Sequence, residues 1–300
     1  MRNVFKYLEY QIFLPLASRF PLPLAYRLAE WRGSWMYRTR KDSRQHAIQN
    51  IRATFPLLTA RDAERIAREH YRTLSVVDVE SLWFKKNVDF FLTHTRVDGL
   101  EKLKGAAGRP GGALVLLAHW GSVATFFVAI GKRGLSFHVV VRPIERDEDR
   151  LDPAHLKFAK KCVSDIGQAI GHPLLYTSGS FRKKRDLLRS GEILMTAFDV
   201  TPHILHHIQP VQFFGRTAYF PSGLARLQQE TGAHVFYGLI LRSKQSPYQR
   251  IQIREVPLTT GRDELMQRLV SMLEEEIRKS PSQWTLWDSM EWFYRPLQSP

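Results

Sequence analysis

The longest stretch of this 300-residue chain without a charged side chain covers residues 110–131, 22 residues in all. A helix that crosses a membrane needs about 20 consecutive apolar residues, so the length of this stretch alone would allow a transmembrane helix. The order of residue types within the stretch argues against a transmembrane helix. Gly111-Gly112 is a turn signal, residues 113–118 have the length of a buried strand, and the polar residues of 119–122 interrupt the run. The stretch therefore predicts a strand, a short loop and then a helix.

The rest of the chain continues this alternation. The strand candidates are residues 113–118, 137–141, 193–198 and 234–241, and the helix candidates are 121–132, 151–167, 178–190, 221–231 and 262–279. Residues 40–95 read as helices, with 43–54 ending at Phe55-Pro56 and a capping-box-like start at Thr59 to Asp62. Strands that alternate with helices predict an α/β fold, a three-layer sandwich around a mixed, largely parallel central sheet.

The domain organisation follows from composition. Hydrophobic residues make up 44% of the chain, enough for one substantial core, and no Gly/Ser-rich or Pro-rich linker divides it. Residues 1–30 interleave aromatic and apolar side chains with cations such as Arg19 and Arg27, a mixture suited to the interface of a bilayer. We expect a helical membrane-associating segment over 1–40 and one domain over 41–300. The alternative for the segment is a helix packed on its own domain.

The formal charge of +15, from 44 Lys and Arg against 29 Asp and Glu, favours an anionic partner. Phospholipid headgroups, an acidic carrier protein and nucleic acid all qualify. The basic residues are spread along the chain without the aromatic-interleaved stripe of single-strand binders, so we expect no nucleic-acid partner. The single cysteine, Cys162, excludes an internal disulfide framework and a cysteine-ligated zinc site. We expect neither a metal nor another cofactor.

Three polar side chains follow predicted strands. His119 follows the first strand, Arg142 the second and Asp199 the third, so all three are expected at the carboxyl edge of the sheet, where open α/β folds bind ligands. A neutral imidazole can take a proton from a hydroxyl and return it later. Arg142 can pair with phosphate or carboxylate, and Asp199 can orient the imidazole. A structural histidine and surface ion pairs are the alternatives.

A second candidate site is the turn Pro221-Ser222-Gly223, which opens a predicted helix. Backbone N–H groups at a helix start, together with the helix dipole, favour a bound anion such as phosphate. Arg216 and Arg226 lie on either side of the turn in the sequence. An ordinary helix cap explains the same residues.

An ordered set of motifs resembles the bacterial lipid A biosynthesis acyltransferases of the lysophospholipid acyltransferase superfamily, from about residue 40 to residue 296. The motifs are Asn50 with Phe55-Pro56, His119, Arg142-Pro143, Arg182 with Gly191, Asp199, Phe213-Phe214-Gly215, Pro221-Ser222-Gly223, Thr231-Gly232-Ala233 and Pro281-Ser282-Gln283-Trp284. The resemblance implies transfer of a fatty acyl group from a thioester of acyl carrier protein or CoA to a hydroxyl of a lipid or glycolipid. It also implies association with the cytoplasmic face of the bacterial inner membrane.

Two positions depart from the family pattern. The family carries His-x4-Asp or His-x4-Glu, and His119 matches its histidine, but Ala124 occupies the position of the acid. The family ending Gln-Trp-x-Trp-x-His-x-Arg is replaced by Gln283-Trp-Thr-Leu-Trp-Asp288. Three interpretations follow: Asp199 or Glu145 supplies the acid, the acceptor is an easily deprotonated hydroxyl such as an aryl hydroxyl, or the protein binds lipid or carrier protein without catalysis.

Overall fold

The computed structural model describes residues 2–83, 88–144, 152–202, 207–243, 245–246, 248–257 and 261–295. The N-terminal region is helical: α1 spans Arg2–Tyr7, a π-helical turn spans Leu8–Phe13, α2 spans Leu14–Ala17, α3 spans Leu22–Thr39, α4 spans Lys41–Thr54, α5 spans Ala60–Trp83 and α6 spans Val88–Thr93. Thr59 caps the start of α5 as predicted, because its hydroxyl accepts a hydrogen bond from the backbone N–H of Asp62 at 3.1 Å.

The strands are β1 Thr95–Asp98, β2 Ala113–Leu117, β3 His138–Val141, β4 Leu175–Tyr176, β5 Ile193–Ala197, β6 Ile208–Phe213, β7 Arg216–Pro221, β8 His234–Arg242 and β9 Gln249–Val256. In the described residues, seven of them form one sheet in the order β1-β9-β8-β2-β5-β3-β4, and β6 pairs with β7 in a separate antiparallel hairpin. Among the strands that the structure describes in this sheet, only β8 and β9 pair antiparallel. The predicted mixed, largely parallel sheet is confirmed.

The remaining helices are α7 Leu100–Ala106, α8 Val123–Gly131, α9 Pro153–Ile170, α10 Phe181–Arg189, α11 Gly223–Thr231 and α12 Arg262–Lys279, and two 3₁₀ turns span Pro281–Gln283 and Trp287–Tyr294. Alternate residues of β2 pack on opposite faces of the sheet, as a strand requires. Leu114 and Leu116 join a core with side chains of α10, α11 and α12, whereas Val115 and Leu117 join one with α7 and α8. The sheet therefore lies between two helical layers.

The charge-free stretch folds as predicted, with β2, a loop and α8 in succession. The helix expected over 221–231 begins two residues later, at Gly223, because Pro221 still pairs with Ile208 as the last residue of β7. The sequence patterns did not identify β1, β4, β9 or the β6–β7 hairpin. No helix within the described residues combines the length and the apolar character that crossing a bilayer requires.

The N-terminal helices pack on the rest of the protein. Tyr10 and Leu14 share a core with Val79 of α5 and Phe158 of α9. The buried guanidinium of Arg32 in α3 forms ion pairs with Glu9 at 2.6 Å and Asp78 at 2.9 Å. The division at residue 40 stays a prediction, but one core joins both sides of it.

Candidate active site

His119 and Asp199 lie at the same edge of the sheet. His119 comes two residues after β2, and Asp199 comes two residues after β5. Because β2 and β5 are parallel neighbours, their carboxyl ends place both side chains together. The imidazole Nδ1 of His119 lies 2.7 Å from Oδ1 of Asp199.

The carboxylate of Asp199 is completely buried and is held by fixed donors. The backbone N–H of His119 donates to Oδ1 at 2.9 Å and to Oδ2 at 2.8 Å. The indole Nε1–H of Trp284 donates to Oδ2 at 3.0 Å. These donors fix the carboxylate in one orientation relative to the imidazole.

The contact with Asp199 determines which nitrogen of His119 carries the proton. An ionised carboxylate only accepts hydrogen bonds, so Nδ1 is the N–H donor and Nε2 carries the lone pair. The side chain of His119 is 40% exposed although Asp199 is buried. The site therefore has the geometry of a general base: the ring of His119 is accessible to a reactant, and Asp199 holds the ring through Nδ1.

The pKa of His119 is raised above the ordinary imidazole value of 6.5. Partial desolvation of the ring lowers this pKa, but the negative charge of Asp199 and its hydrogen bonds raise it more. The positive charge of Arg142 opposes the shift. Arg142 directly follows β3, beside β5, so the structure brings the third predicted polar residue close to the imidazole.

A C-terminal segment, residues 283–285, supports the loop that carries His119. Both the backbone N–H and the hydroxyl of Thr285 donate to the carbonyl oxygen of His119 at 2.9 Å. The backbone N–H of Gly121 donates to the carbonyl oxygen of Gln283 at 3.3 Å. Gln283 and Trp284 belong to the resembling motifs, but no sequence pattern indicated that they contact the histidine loop.

Ala124 is in a different environment. It is the second residue of α8 and is buried in contact with Val128, Ile166 and Ala169. The position at which the family carries its acid is therefore an apolar contact in this chain. Of the two acids considered as replacements, Asp199 contacts the imidazole, and Glu145 lies outside the described residues.

The residues of the second candidate site are dispersed. Ser222 precedes α11, and its backbone N–H donates to the carbonyl oxygen of His207 at 3.2 Å. Arg226 forms an ion pair with Glu230 at 2.7 Å. Arg216 lies at the far end of β7 with its guanidinium 3.8 Å from the ring centre of Tyr294. A six-residue strand spans roughly 17 Å, so Arg216 and Arg226 do not flank one turn in space.

Sequence reasoning missed Arg242, the last residue of β8. Since β8 runs parallel to β2, Arg242 reaches the same sheet edge as His119. Its side chain is 14% exposed and lies 3.5 Å from the carboxylate of Glu30, and its backbone N–H donates to the side-chain oxygen of Gln283 at 3.0 Å. Its place directly after an apolar run is the same signal that identified Arg142.

Within the part of the chain that the structure describes, no three His, Cys, Asp or Glu side chains stand close enough to hold a metal ion. The prediction that the protein works without a metal or cofactor stays a prediction.

An outward-facing imidazole held by a buried carboxylate, at the open edge of an α/β sheet, is typical of enzymes that deprotonate a hydroxyl or water for acyl transfer or hydrolysis. The profile of the family described as bacterial lipid A biosynthesis acyltransferase matches residues 4–290. The chain therefore belongs to this family, and the resemblance seen in its motifs is confirmed. Membership makes the protein an acyltransferase that acts on lipid. A comparison with curated proteins finds no match.

Proposed function

We propose that this protein moves a fatty acyl group from a thioester on acyl carrier protein or CoA to a hydroxyl of a lipid, glycolipid or related membrane acceptor. His119 acts as the general base, and Asp199 takes the role of the acid that is missing at Ala124. The contact between His119 Nδ1 and Asp199 Oδ1, at 2.7 Å, carries this proposal.

The reaction follows from the orientation of the imidazole. Nε2 of His119 takes the proton of the acceptor hydroxyl while the hydroxyl oxygen attacks the thioester carbonyl. The new C–O bond gives a tetrahedral oxyanion, which collapses with cleavage of the C–S bond. The imidazolium then protonates the leaving thiolate. Asp199 orients the ring and stabilises its positive charge, as the acid does in a Ser-His-Asp triad.

The contact with Asp199 favours catalysis over the alternative of a degenerate binding protein. Losing the orienting acid of a triad lowers kcat by about 10⁴, and that loss is avoided if Asp199 supplies the carboxylate. With an oriented base, an aliphatic hydroxyl is an adequate acceptor, and an aryl hydroxyl, with its lower pKa of about 10, remains a second acceptor class to test.

The N-terminal helices supply the surface that would contact the membrane. Their exposed large apolar side chains are Phe5, Tyr7, Leu8, Ile12, Leu16, Phe20, Leu24, Trp31 and Trp35. Contiguous exposed apolar side chains next to cations are typical of interfacial helices. Glu30 and Tyr26 of α3 contact Arg242 and Tyr248, at the β8–β9 turn on the carboxyl edge of the sheet. We infer peripheral attachment to the cytoplasmic face of the inner membrane, with the apolar surface beside the site.

Anionic parts of the substrates have candidate partners at this edge. Arg142 would bind a phosphate or acidic headgroup, and Arg226 would add positive charge. At the Pro221-Ser222-Gly223 turn the N–H of Ser222 already donates to His207 and Pro221 has none, so an anion there would be bound by the first N–H groups of α11, from Gly223 onward. Arg216 stays a prediction from the sequence alone.

The test uses the purified full-length protein with fatty acyl thioesters of carrier protein and of CoA. Acceptors are a lysophospholipid, a glycolipid and a phenolic lipid, and products are followed by mass spectrometry. We expect transfer to at least one acceptor and its loss in His119→Ala. Binding of donor or acceptor without transfer to any of them would instead support a non-catalytic binding protein.

A further inference from the structure

Helices α10 and α11 together present a strongly basic surface. Five of the nine residues of α10 are Lys or Arg. We define the basic face as Arg182, Lys183, Arg185 and Arg189 of α10 with Arg226 of α11. The acidic side chains among them are Asp186 and Glu230, so the face keeps a net positive charge.

The basic face lies near the edge of the sheet that carries His119. Helix α10 follows β4, whose carboxyl end lies at that edge because β4 is parallel to β3. The guanidinium of Arg226, in the first turn of α11, lies 4.5 Å from the ring centre of Phe181, the first residue of α10. Both helices therefore begin on the same side of the protein as the candidate base.

The position of these cations lowers the stability of helix α10. The first turn of α10 carries consecutive cations and no acidic residue. The positive end of the helix dipole repels them, so the arrangement costs stability. Lys184 has a structural role, since its ammonium group donates to the carbonyl oxygens of Thr177 and Gly179 at 3.3 and 3.0 Å. Arg182 and Lys183 point instead to solvent, and Arg182 is 83% exposed.

The same face has little apolar surface. Among the described residues, no large apolar side chain of α10 or α11 is strongly exposed, whereas such side chains are concentrated in α1 to α3. A charged face without apolar contacts fits an acidic protein surface better than a bilayer, which binds peripheral helices through apolar area as well as charge.

We propose that the α10–α11 basic face is the docking surface for the acidic carrier protein that brings the acyl thioester to the site. The carrier approaches the carboxyl edge beside α10 and α11, while the acceptor arrives from the apolar surface of α1 to α3. This inference rests on the proposed function, because it assumes a carrier-bound donor.

The test is a charge reversal, Arg182→Glu with Lys183→Glu, in the full-length protein. The matched control reverses two exposed cations on the other edge of the sheet, Lys102→Glu with Arg109→Glu, in α7 and the turn that follows it. Direct binding to fatty-acylated acyl carrier protein is measured by calorimetry at low salt. Transfer is measured with that donor and with the uncharged fatty acyl thioester of N-acetylcysteamine.

We expect the α10 variant to weaken carrier binding and raise KM for the carrier-bound donor by about tenfold, with unchanged rates from the small thioester. The control variant should behave as wild type. The docking proposal would be overturned if the α10 variant lost transfer equally with both donors, or if the control variant lost as much carrier binding as the α10 variant. It would also be overturned if the α10 variant lost binding to phosphatidylglycerol vesicles while its carrier binding stayed intact. If no donor supports transfer, the proposed function fails, and the calorimetric comparison still decides whether this face binds the carrier.

Discussion

Trp284 donates its indole N–H to Oδ2 of Asp199 at 3.0 Å, while Oδ1 of the same carboxylate lies 2.7 Å from the imidazole of His119. The two residues are 85 positions apart in the sequence, and both are fully buried. Trp284 thus holds the carboxylate of Asp199 in place, and Asp199 in turn orients the imidazole of His119. Because Trp284 is fully buried, its role is positioning and not contact with a reactant.

Replacing Trp284 by Phe removes this donor but keeps an aromatic ring. We expect kcat to fall, with a smaller change in KM, because Asp199 loses a fixed partner and the imidazole is held less precisely. The unsatisfied carboxylate oxygen should also lower the free energy of unfolding by about 1–3 kcal/mol. Kinetics and thermal unfolding measure the two effects.

Trp287→Phe is the matched control, since Trp287 is equally buried and its indole donates to the backbone carbonyl of Pro281 at 2.6 Å, not to Asp199. If both variants lose activity in proportion to lost stability, Trp284 has no positioning role.

Asp199→Asn keeps the size of the side chain and removes its charge. We expect kcat to fall by up to about 10⁴, because an amide can stabilise the wrong tautomer of His119 and cannot stabilise the imidazolium. Steady-state kinetics on the best acceptor checks this. Wild-type activity in the variant would show that Asp199 is not the orienting acid.

The raised pKa of His119 predicts the pH dependence. The base works only when neutral, so kcat/KM should rise with pH and level off above an inflection that lies higher than the ordinary imidazole value of 6.5. In Asp199→Asn the charge that raises this pKa is gone, so the inflection should move to lower pH. An inflection at the same pH in both proteins would assign it to another group.

Restoring the family acid as Ala124→Glu tests whether the site is incomplete. We expect no gain in transfer, because Asp199 already holds the imidazole, and a loss of about 1–3 kcal/mol in stability from placing a carboxylate against Val128 and Ile166. Kinetics and chemical unfolding of the variant provide the measurement. A large rise in kcat would mean that the natural site lacks an acid.

The exposed apolar surface of the N-terminal helices predicts membrane binding. Trp31→Asp with Leu16→Asp should reduce sedimentation with phosphatidylglycerol vesicles by roughly tenfold, since it removes apolar area from the interface. Leu57→Asp is the control, because Leu57 is 99% exposed but lies outside these helices. Equal vesicle binding by the wild type, the double variant and the Leu57→Asp control would contradict the proposal that these helices contact the membrane.

The sequence predicted the parts of the fold that depend on local pattern. The continuous apolar run of β2 lies between turn signals, and its strand assignment needs no distant contact. In contrast, β9 lies between β1 and β8, and its short alternation of apolar and polar residues says nothing about which strands are its neighbours. Its pairing with β1 and β8 depends on residues that are not adjacent to it in the local pattern. Such long-range pairing leaves little local signal.

The candidate site shows the same division. The place of His119 after an apolar strand could be predicted, and so could Asp199 at a strand end. Their contact could not, because it requires β2 and β5 to be neighbours. The role of residues 283–285 could not be predicted either, since Thr285 contacts His119 although the two are 166 positions apart in the sequence.

The ion pairs of Arg32 link the N-terminal helices to the folded body. The guanidinium is 2% exposed and depends on carboxylates from the π-helical turn and from α5. Deleting the helices before α3 to obtain a more tractable protein would remove Glu9 and leave Asp78 as the remaining carboxylate against this guanidinium, so we expect the protein to lose stability. Detergent or lipid supplied to the intact chain is therefore a sounder route to purification than truncation, because the segment proposed to bind the bilayer is also a structural support.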